Sequence, residues 1–436
     1  MQYDFAISPG AYKVVSELQH AGFETYIVGG AIRDLLLDKK PKDFDISTSA
    51  TPEEVRHVFG RRKARIIGKR FRLTHVTLAG ELFEVSTFRK MPSVLAGDHG
   101  EEKFQKLPEN LIVSDNSYGT AKEDAFRRDF TVNALFYDPV SRELIDHTGL
   151  GLKDIEDHVV RAIGEPALRF EEDPVRMLRA LKLVAQFDFS LDSATENALF
   201  NALPLLQHAS PGRLSLELEK ILKSTCSDRH FEVFFDYGLL TYFLPELAKA
   251  WGSIPCRRAL DLLYERNCRV DAGIYRDSIS LALAAVALPF AADKLGCESG
   301  KVWKKRDENV EHILNEAVNT VFAPQNLMIK VREAAMRIML MQSLLEQADE
   351  NTIPQLMRHK SYAHARELLL IRNLASQTDI TELAAKFPQG HDPREFHLYT
   401  GNFQNKPKKS RNRKNFRKPF YKKRGKRPET PPDFNE

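Results

Sequence analysis

The stretch YIVGGAIRDLLLDKKPKDFDI, Tyr26 to Ile46, sets the reading of the chain's first part. "TYIV" (25–28) reads as a buried strand, a Gly-Gly pair turns the chain, and a helix opens on Ala-Ile-Arg-Asp. A strand–glycine–helix turn can present unpaired backbone N–H groups to an anion, and glycine lets a phosphate approach the backbone. On the glycines alone an ordinary tight turn explains the pattern better. The "DFD" that follows is more informative. If residues 43–46 form a strand, Asp43 and Asp45 point to one face, because strand side chains alternate with period two. Two carboxylates on one face repel unless cations sit between them, and hard oxygen ligands suit one or two Mg²⁺ ions. The competing explanation is a solvated turn after Pro41. Glu84, set among apolar residues in "LFEVSTF", adds a third carboxylate that is costly to bury unless paired or metal-linked, or that faces water from an edge strand.

The surroundings alternate helix and strand. Ser8-Pro9 caps a helix with Val14, Val15 and Leu18 on one face, and Thr51-Pro52-Glu53-Glu54 has the layout of a capping box. "ARII", "RLTHVTL" and "LFEVSTF" read as further strands. Between Arg89 and Asp124 runs a polar stretch of the length usually kept for functional or mobile loops. Beyond about residue 150 the strand signals fade. "VREAAMRIMLMQSLL" puts Val331, Ala335, Ile338, Met341 and Leu345 on one helical stripe, and "ARELLLIRNLA" repeats the style.

A chain of 436 residues exceeds one ordinary core, so two or three domains are expected. Its net charge of +4 conceals an asymmetry: Asn405–Glu436 carries 13 Lys/Arg and 3 Asp/Glu, so the rest is mildly acidic. A basic tail on an acidic body points to an anionic polymer as partner. That tail, with Phe416, Phe420 and Tyr421 among its cations, cannot bury a core and is expected to be disordered when free. Cys226, Cys256, Cys268 and Cys297 show no metal or disulfide spacing, which fits a reducing cytoplasm. The N-terminus lacks a signal-peptide pattern. The apolar run "ISLALAAVALPFAA" contains Pro289 and has the length of a buried helix, not of a membrane span.

Three separated motifs, "GGAIRD…DFDI", "RRDFTVNALFYD" (127–138) and "EEDPVRMLRALKL" (171–183), resemble in order those of class II nucleotidyltransferases, the family of bacterial CCA-adding enzymes and poly(A) polymerases. The resemblance covers roughly residues 20–225; one departure is Asp38, where the family usually has Gly. It implies that Asp43 and Asp45 hold two Mg²⁺ ions in a two-metal scheme, that Glu84 is the third carboxylate, and that Gly29, Gly30 and Arg33 hold phosphate oxygens. Arg127 and Arg128 are cationic forks suited to phosphate. Asp129 and Asn133, four apart and on one helix face if the segment is helical, are candidates for ribose hydroxyls. Asp173 before Pro174 reads as a helix cap, and Asp173–Arg176 as an i,i+3 ion pair. The resemblance gives the same two residues the reading of the incoming base, with Glu172 and Arg179 as supports. A carboxylate beside a guanidinium matches the amino donor and ring-nitrogen acceptor shared by adenine and cytosine.

The expected architecture is an α/β nucleotidyltransferase head with a mixed sheet (1–150), a helical neck carrying the base-reading motif (151–225), an all-α RNA-binding body (226–400) and a disordered basic tail (401–436). In that tail Lys408, Lys409, Arg411, Arg413, Lys414, Arg417, Lys418, Lys422, Lys423 and Arg424 are candidate RNA contacts. "IIGKRFRLTHV" (66–76), "RHKSYAHARELLLIR" (358–372) and the tail resemble poly(A) polymerases. The implied activity is template-independent addition of AMP from ATP to single-stranded RNA 3′ ends in the cytoplasm, with Mg²⁺ as cofactor. A CCA-adding tRNA nucleotidyltransferase is the first alternative. A non-catalytic RNA-binding protein with a vestigial head is the second. No protein partner is indicated.

Overall fold

The computed structural model describes residues 2–68, 72–90, 118–304 and 307–389. Seven strands build one mixed sheet: β1 (Thr25–Val28), β2 (Asp45–Thr48), β3 (Ala64–Ile67), β4 (Leu73–Leu78), β5 (Glu81–Thr87), β6 (Leu135–Asp138) and β7 (Glu143–Asp146). Their order is β3-β4-β5-β2-β1-β6-β7. Within this sheet, among the described residues, β2 and β5 run parallel and the other pairings are antiparallel. The parallel pair places Ile46 beside Val85 and Ser47 beside Ser86, so Asp45, the first residue of β2, falls next to Glu84 in the middle of β5.

Alternation gives the sheet two unlike faces. Ile27, Ile46, Val85 and Tyr137 enter the main core against α1 (Pro9–His20) and α3 (Pro52–Phe59). Both helices are capped as the sequence expects: Ser8 Oγ accepts from Ala11 N–H, and Thr51 and Glu54 form a reciprocal capping box. Val28, Phe88 and Phe136 form a smaller apolar cluster on the other face, and the acidic strand ends open beside it.

Between β1 and β2 lies α2 (Gly30–Leu36). After it the chain turns at Asp38, whose φ of +54° lies in the left-handed region. Glycine suits that conformation, and Asp tolerates it better than most residues, so the departure from the family pattern leaves the turn in place. Residues 91–117 of the polar stretch lie outside the described residues. Its end forms α4 (Ala121–Arg127), opened by a Thr120/Glu123 capping box that the sequence reading passed over.

Beyond β7 the described chain is helical apart from the paired two-residue strands β8 (Val159–Val160) and β9 (Ser190–Leu191). It continues through α5 (Gly151–Glu156), α6 (Pro166–Glu172), α7 (Val175–Phe187), α8 (Ser193–Ala202) and α9 (Pro211–Lys223). Then follow α10 (Ser227–Asp236), α11 (Leu240–Phe243), α12 (Pro245–Lys249), α13 (Ile254–Asp271), α14 (Ile279–Lys294) and α15 (Glu308–Thr320). The last are α16 (Ile329–Glu346), α17 (Ile353–Met357), α18 (Tyr362–Leu374) and α19 (Thr381–Lys386). One apolar core runs from Ala11 to Phe387 without a break between sheet and helices. Helix α14 carries the most apolar run and is buried on all sides from Leu281 to Pro289. Among the described residues no helix is long and apolar enough to cross a membrane. In α16 the expected stripe is buried at Ala335, Ile338, Met341 and Leu345. The basic tail, with every RNA contact expected on it, lies outside the described residues.

Candidate active site

A cleft of about 1120 Å³ opens where the acidic end of the sheet faces α7 and α9. Asp43 and Asp45 both line it. The strand β2 begins at Asp45, one turn of the pleat later than the sequence predicts, yet the alternation holds: Phe44 packs against the core while its two neighbours face the cleft. The carboxyl of Asp45 is pushed up to about 6, first by the protein displacing water around it, then by the negative charges of Asp43 and Glu84. Arg128 opposes the rise without cancelling it. Glu84 shares this face but stands outside the cleft lining; its side chain is 58% exposed and lies 3.5 Å from His75 Nε2. Among the described residues no three His, Cys, Asp or Glu side chains converge as a metal cage. A cation here would therefore rest on the two aspartates and on oxygens brought by a substrate.

Above the carboxylates sits a cationic wall. Gly29 has φ +78°, and a Cβ there would lie 3.2 Å from Arg128 Nη1; one on Gly30 would lie 3.3 Å from Arg33 Nη2. The two glycines thus let two guanidinium groups pack onto the turn. Arg128 donates to Asp124 Oδ2 (3.0 Å) and Ser47 Oγ (3.3 Å), and lies over the Phe136 ring. Arg33 donates to Asp34 Oδ1 (2.6 Å) and Asn133 Oδ1 (2.5 Å) and stacks on Phe187. Arg127 also lines the cleft, with Asp124 within 4.0 Å.

The segment carrying Asp129 and Asn133 corrects the sequence reading. It is no α-helix: α4 ends at Arg127, Phe130 pairs as an isolated bridge with Ala162, and Thr131–Asn133 is a single 3₁₀ turn. Asn133 Nδ2 still donates to Asp129 Oδ1 at 3.3 Å. Burial pushes the Asp129 carboxyl up, but Arg179 at 2.7 Å, Asn133, the Phe130 N–H and Arg176 outweigh it and hold the group below the usual range.

A second correction concerns Asp173. Its backbone is extended and its Oδ1 accepts from Val175 N–H at 3.2 Å, as a cap should; Pro174 is already helical in φ and ψ. The expected Asp173–Arg176 ion pair is absent. Arg176 turns back to Arg169 C=O (2.7 Å) and Glu172 Oε2 (2.9 Å). Asp173 instead takes a two-pronged contact from Arg213 on α9, Nη1 to Oδ1 at 2.8 Å and Nη2 to Oδ2 at 2.7 Å.

Two residues at or behind the cleft had no sequence signal. Arg169, buried behind the lining, donates to the carbonyls of Arg127 (2.6 Å) and Arg128 (2.7 Å) and ties α6 to the end of α4. Glu217 on α9 accepts from Lys182 (2.7 Å) and Lys220 (2.8 Å). Burial works against its charge, but the two lysines hold its carboxyl at about 2.

Models of the "Poly A polymerase head domain", the "Probable RNA and SrmB- binding site of polymerase A" and the "Polymerase A arginine-rich C-terminus" match residues 25–161, 188–250 and 305–418. Poly(A) polymerase I of Escherichia coli O6:H1 is 33% identical over 373 residues, which are 84% of this chain and 78% of that one. The chain belongs to the poly(A) polymerase family of nucleotidyltransferases. Poly(A) polymerase I of Haemophilus influenzae is 42% identical over 249 residues, and there the match spans 56% of this family member and 54% of the relative. The CCA-adding enzyme of Lactobacillus johnsonii is 38% identical over 229 residues, 52% of this chain and 54% of its own. Among solved structures, the Bacillus stearothermophilus CCA-adding enzyme in complex with CTP superposes with a TM-score of 0.56 at 26% identity, covering 87% of this chain and 85% of that one. For a poly(A) polymerase family member the cleft thus combines an acidic floor, a cationic wall and a polar far end.

Proposed function

We propose that this family member adds AMP from ATP to RNA 3′ ends without a template and releases pyrophosphate. What carries the choice within the family is the reach of the relatedness. The Escherichia coli and Salmonella poly(A) polymerase I relatives align over 84–87% of the chain, helical body included, whereas the Haemophilus influenzae one aligns over 56% and the CCA-adding relatives over 52%. The tail cations Lys408–Arg424 would add affinity for the RNA backbone. The four free thiols fit a cytoplasmic setting.

In the reaction the RNA 3′-oxygen forms a bond to the α-phosphorus of ATP and loses its proton, while the bond from that phosphorus to the bridging oxygen breaks. Asp43 and Asp45 would hold two Mg²⁺ ions, and the raised Asp45 carboxyl is what a strand end short of positive charge should show. When bound, the metal activates the attacking oxygen and neutralises the leaving pyrophosphate. Arg128 and Arg33, fixed against the Gly29-Gly30 turn, place preorganised donors where phosphate charge develops. At the far end Asp173 offers an acceptor for the exocyclic amino group of the base, beside a guanidinium that donates to the ring nitrogen. Guanine and uracil present the reverse order and are refused.

A CCA-adding activity is the second reading, favoured by the 38% identity over 229 residues to such an enzyme. The experiment measures Mg²⁺-dependent incorporation of labelled ATP and CTP into an unstructured RNA and into a tRNA lacking its CCA end. Adenylate tails on the unstructured RNA, with CTP unused, are the expected result. Ordered addition of C, C and A to the tRNA alone would establish the second reading, and no incorporation at all would leave an RNA-binding protein.

A further inference from the structure

We propose that His75 is a positioning residue of the reaction, which holds Glu84 so that its carboxylate stands fixed beside Asp45. The inference rests on the nucleotidyl-transfer reading of the cleft and deepens it. His75 belongs to the poly(A) polymerase-like stretch 66–76, lies on β4, and is not among the residues lining the cleft.

Strand pairing puts it in reach. His75 is directly opposite Glu84 across the β4–β5 pair, and the parallel β2–β5 register sets Asp45 on the other side of Glu84. The next residues, Val76, Val85 and Ile46, all enter the main core, so by alternation His75, Glu84 and Asp45 share the opposite face. They form one row across three adjacent strands, at the spacing over which cross-strand side chains meet. The far end of the row feels the middle: the Glu84 charge is one of those that push the Asp45 carboxyl up.

Each member of the outer pair lacks something the other supplies. The Glu84 side chain is 58% exposed, and fixing so long a chain costs rotamer entropy unless a contact offsets it. His75 Nε2 is sealed from solvent and makes no hydrogen bond among the described residues; Glu84 Oε1 lies 3.5 Å from it. With the proton on Nε2, a shift of a few tenths of an ångström gives an N–H···O bond of ordinary length and satisfies the buried nitrogen. Contacts of this kind are often long in a free enzyme and tighten in its complexes. Bound through one oxygen, Glu84 keeps the other free and its charge in one place beside the cation site of Asp43 and Asp45.

The test compares His75→Gln, whose Nε2 can donate to the same carboxylate, with His75→Leu, which fills the space and cannot. In His75→Leu kcat should fall roughly tenfold with KM for ATP nearly unchanged, since the cationic wall is untouched, and His75→Gln should restore most of the loss. Without nucleotide or turnover, Mg²⁺ titrations followed by melting temperature give a second readout. The Mg²⁺ concentration for half the thermal gain should rise severalfold in His75→Leu and stay near the wild-type value in His75→Gln. In a Glu84→Gln background His75→Leu should change neither readout further. His75→Asn, too short to reach Glu84, serves as the donor-free variant if the leucine protein does not fold. A donor-free variant that melts lower in EDTA but keeps kcat and the Mg²⁺ midpoint overturns the assignment, and so does an equal loss in the Glu84→Gln background. No incorporation by the wild type would remove the nucleotidyl-transfer reading, while the Mg²⁺ titrations would still decide whether His75 acts through Glu84.

Discussion

Asp45→Asn tests the acidic floor without relying on turnover. Without a cation the Asp45 carboxyl is pushed up to about 6 in the folded protein, from the ordinary carboxylate value of about 4. A carboxyl whose folded pKa is raised binds its proton longer in the folded state, so stability falls as pH rises from about 4 to 6 and stays reduced above. At ~1.4 kcal/mol per pH unit the ceiling is about 3 kcal/mol. Asp45 retains solvent access, and screening lowers the expected figure to about 1 kcal/mol. Asparagine keeps the shape and cannot ionise. The variant should therefore melt about 1–2 °C above the wild type at pH 8 in EDTA, and level with it at pH 4. Mg²⁺ reverses the order. At about 100 times its Kd a ligand stabilises the folded state by about 2.7 kcal/mol, and the wild type should gain this while the variant gains little. The assay is a set of melting curves at two pH values, with EDTA or Mg²⁺. A variant less stable than the wild type in EDTA at pH 8, or equally stabilised by Mg²⁺, would refute the view that Asp45 is a carboxylate held for a cation.

Glu217→Gln leaves the largely buried Lys182 without its counter-charge and should cost about 3 kcal/mol in urea unfolding at pH 7. Because its folded carboxyl lies near 2, the wild-type advantage is full above about pH 4.5 and should shrink towards pH 3; a gap independent of pH would argue against the ion pair. Gly29→Ala forces a Cβ onto a backbone at φ +78° and to 3.2 Å from Arg128 Nη1, so it should lose about 1–3 kcal/mol of stability and lower kcat, read from melting and initial rates. Asp173→Asn should cap its helix almost as well, yet admit GTP or UTP as its amide turns; unaltered relative kcat/KM for the four nucleotides would return Asp173 to a structural role. Deleting residues 406–427 should flatten the salt dependence of RNA binding by about 0.7 per lost phosphate contact, with nucleotide choice unchanged.

The acidic floor was legible because a strand repeats every second residue, so the phase of Phe44 and Ile46 in the core fixes the phase of Asp43 and Asp45. Glu84 was legible as a carboxylate on a strand, and its nearness to Asp45 depends on the parallel β2–β5 pairing, which no local signal encodes. The helical spacing assumed for Asp129 and Asn133 failed because the backbone around Phe130 bridges to Ala162, with Thr131 N–H donating to Arg161 C=O and Ile163 N–H to Asp129 C=O, and is held extended. Arg213 stayed hidden for a simpler reason. Its link to Asp173 exists only once α7 and α9 have packed, and a guanidinium four bonds from its backbone can choose among several carboxylates. The i,i+3 rule offered a nearer partner, but Arg176 lies within reach of a backbone carbonyl and Glu172 as well, and those prevailed.

Arg169 gives the cleft a fixed gauge. Its Nη2 grips two successive carbonyls at the end of α4, at 2.6 and 2.7 Å, while its Nη1 holds Glu172, the residue next to Asp173. One buried side chain therefore links the wall beside the carboxylates to the turn that carries Asp173. A polymerase copying a template can let the template judge whether a nucleotide is the right size. On the function proposed above, the protein itself would measure from phosphate to base edge. A rigid spacer between the two ends of that measurement would let a nucleotide of the wrong length or tilt bind without bringing its α-phosphorus to the reacting position, so that selection acts on the rate of bond formation as well as on occupancy.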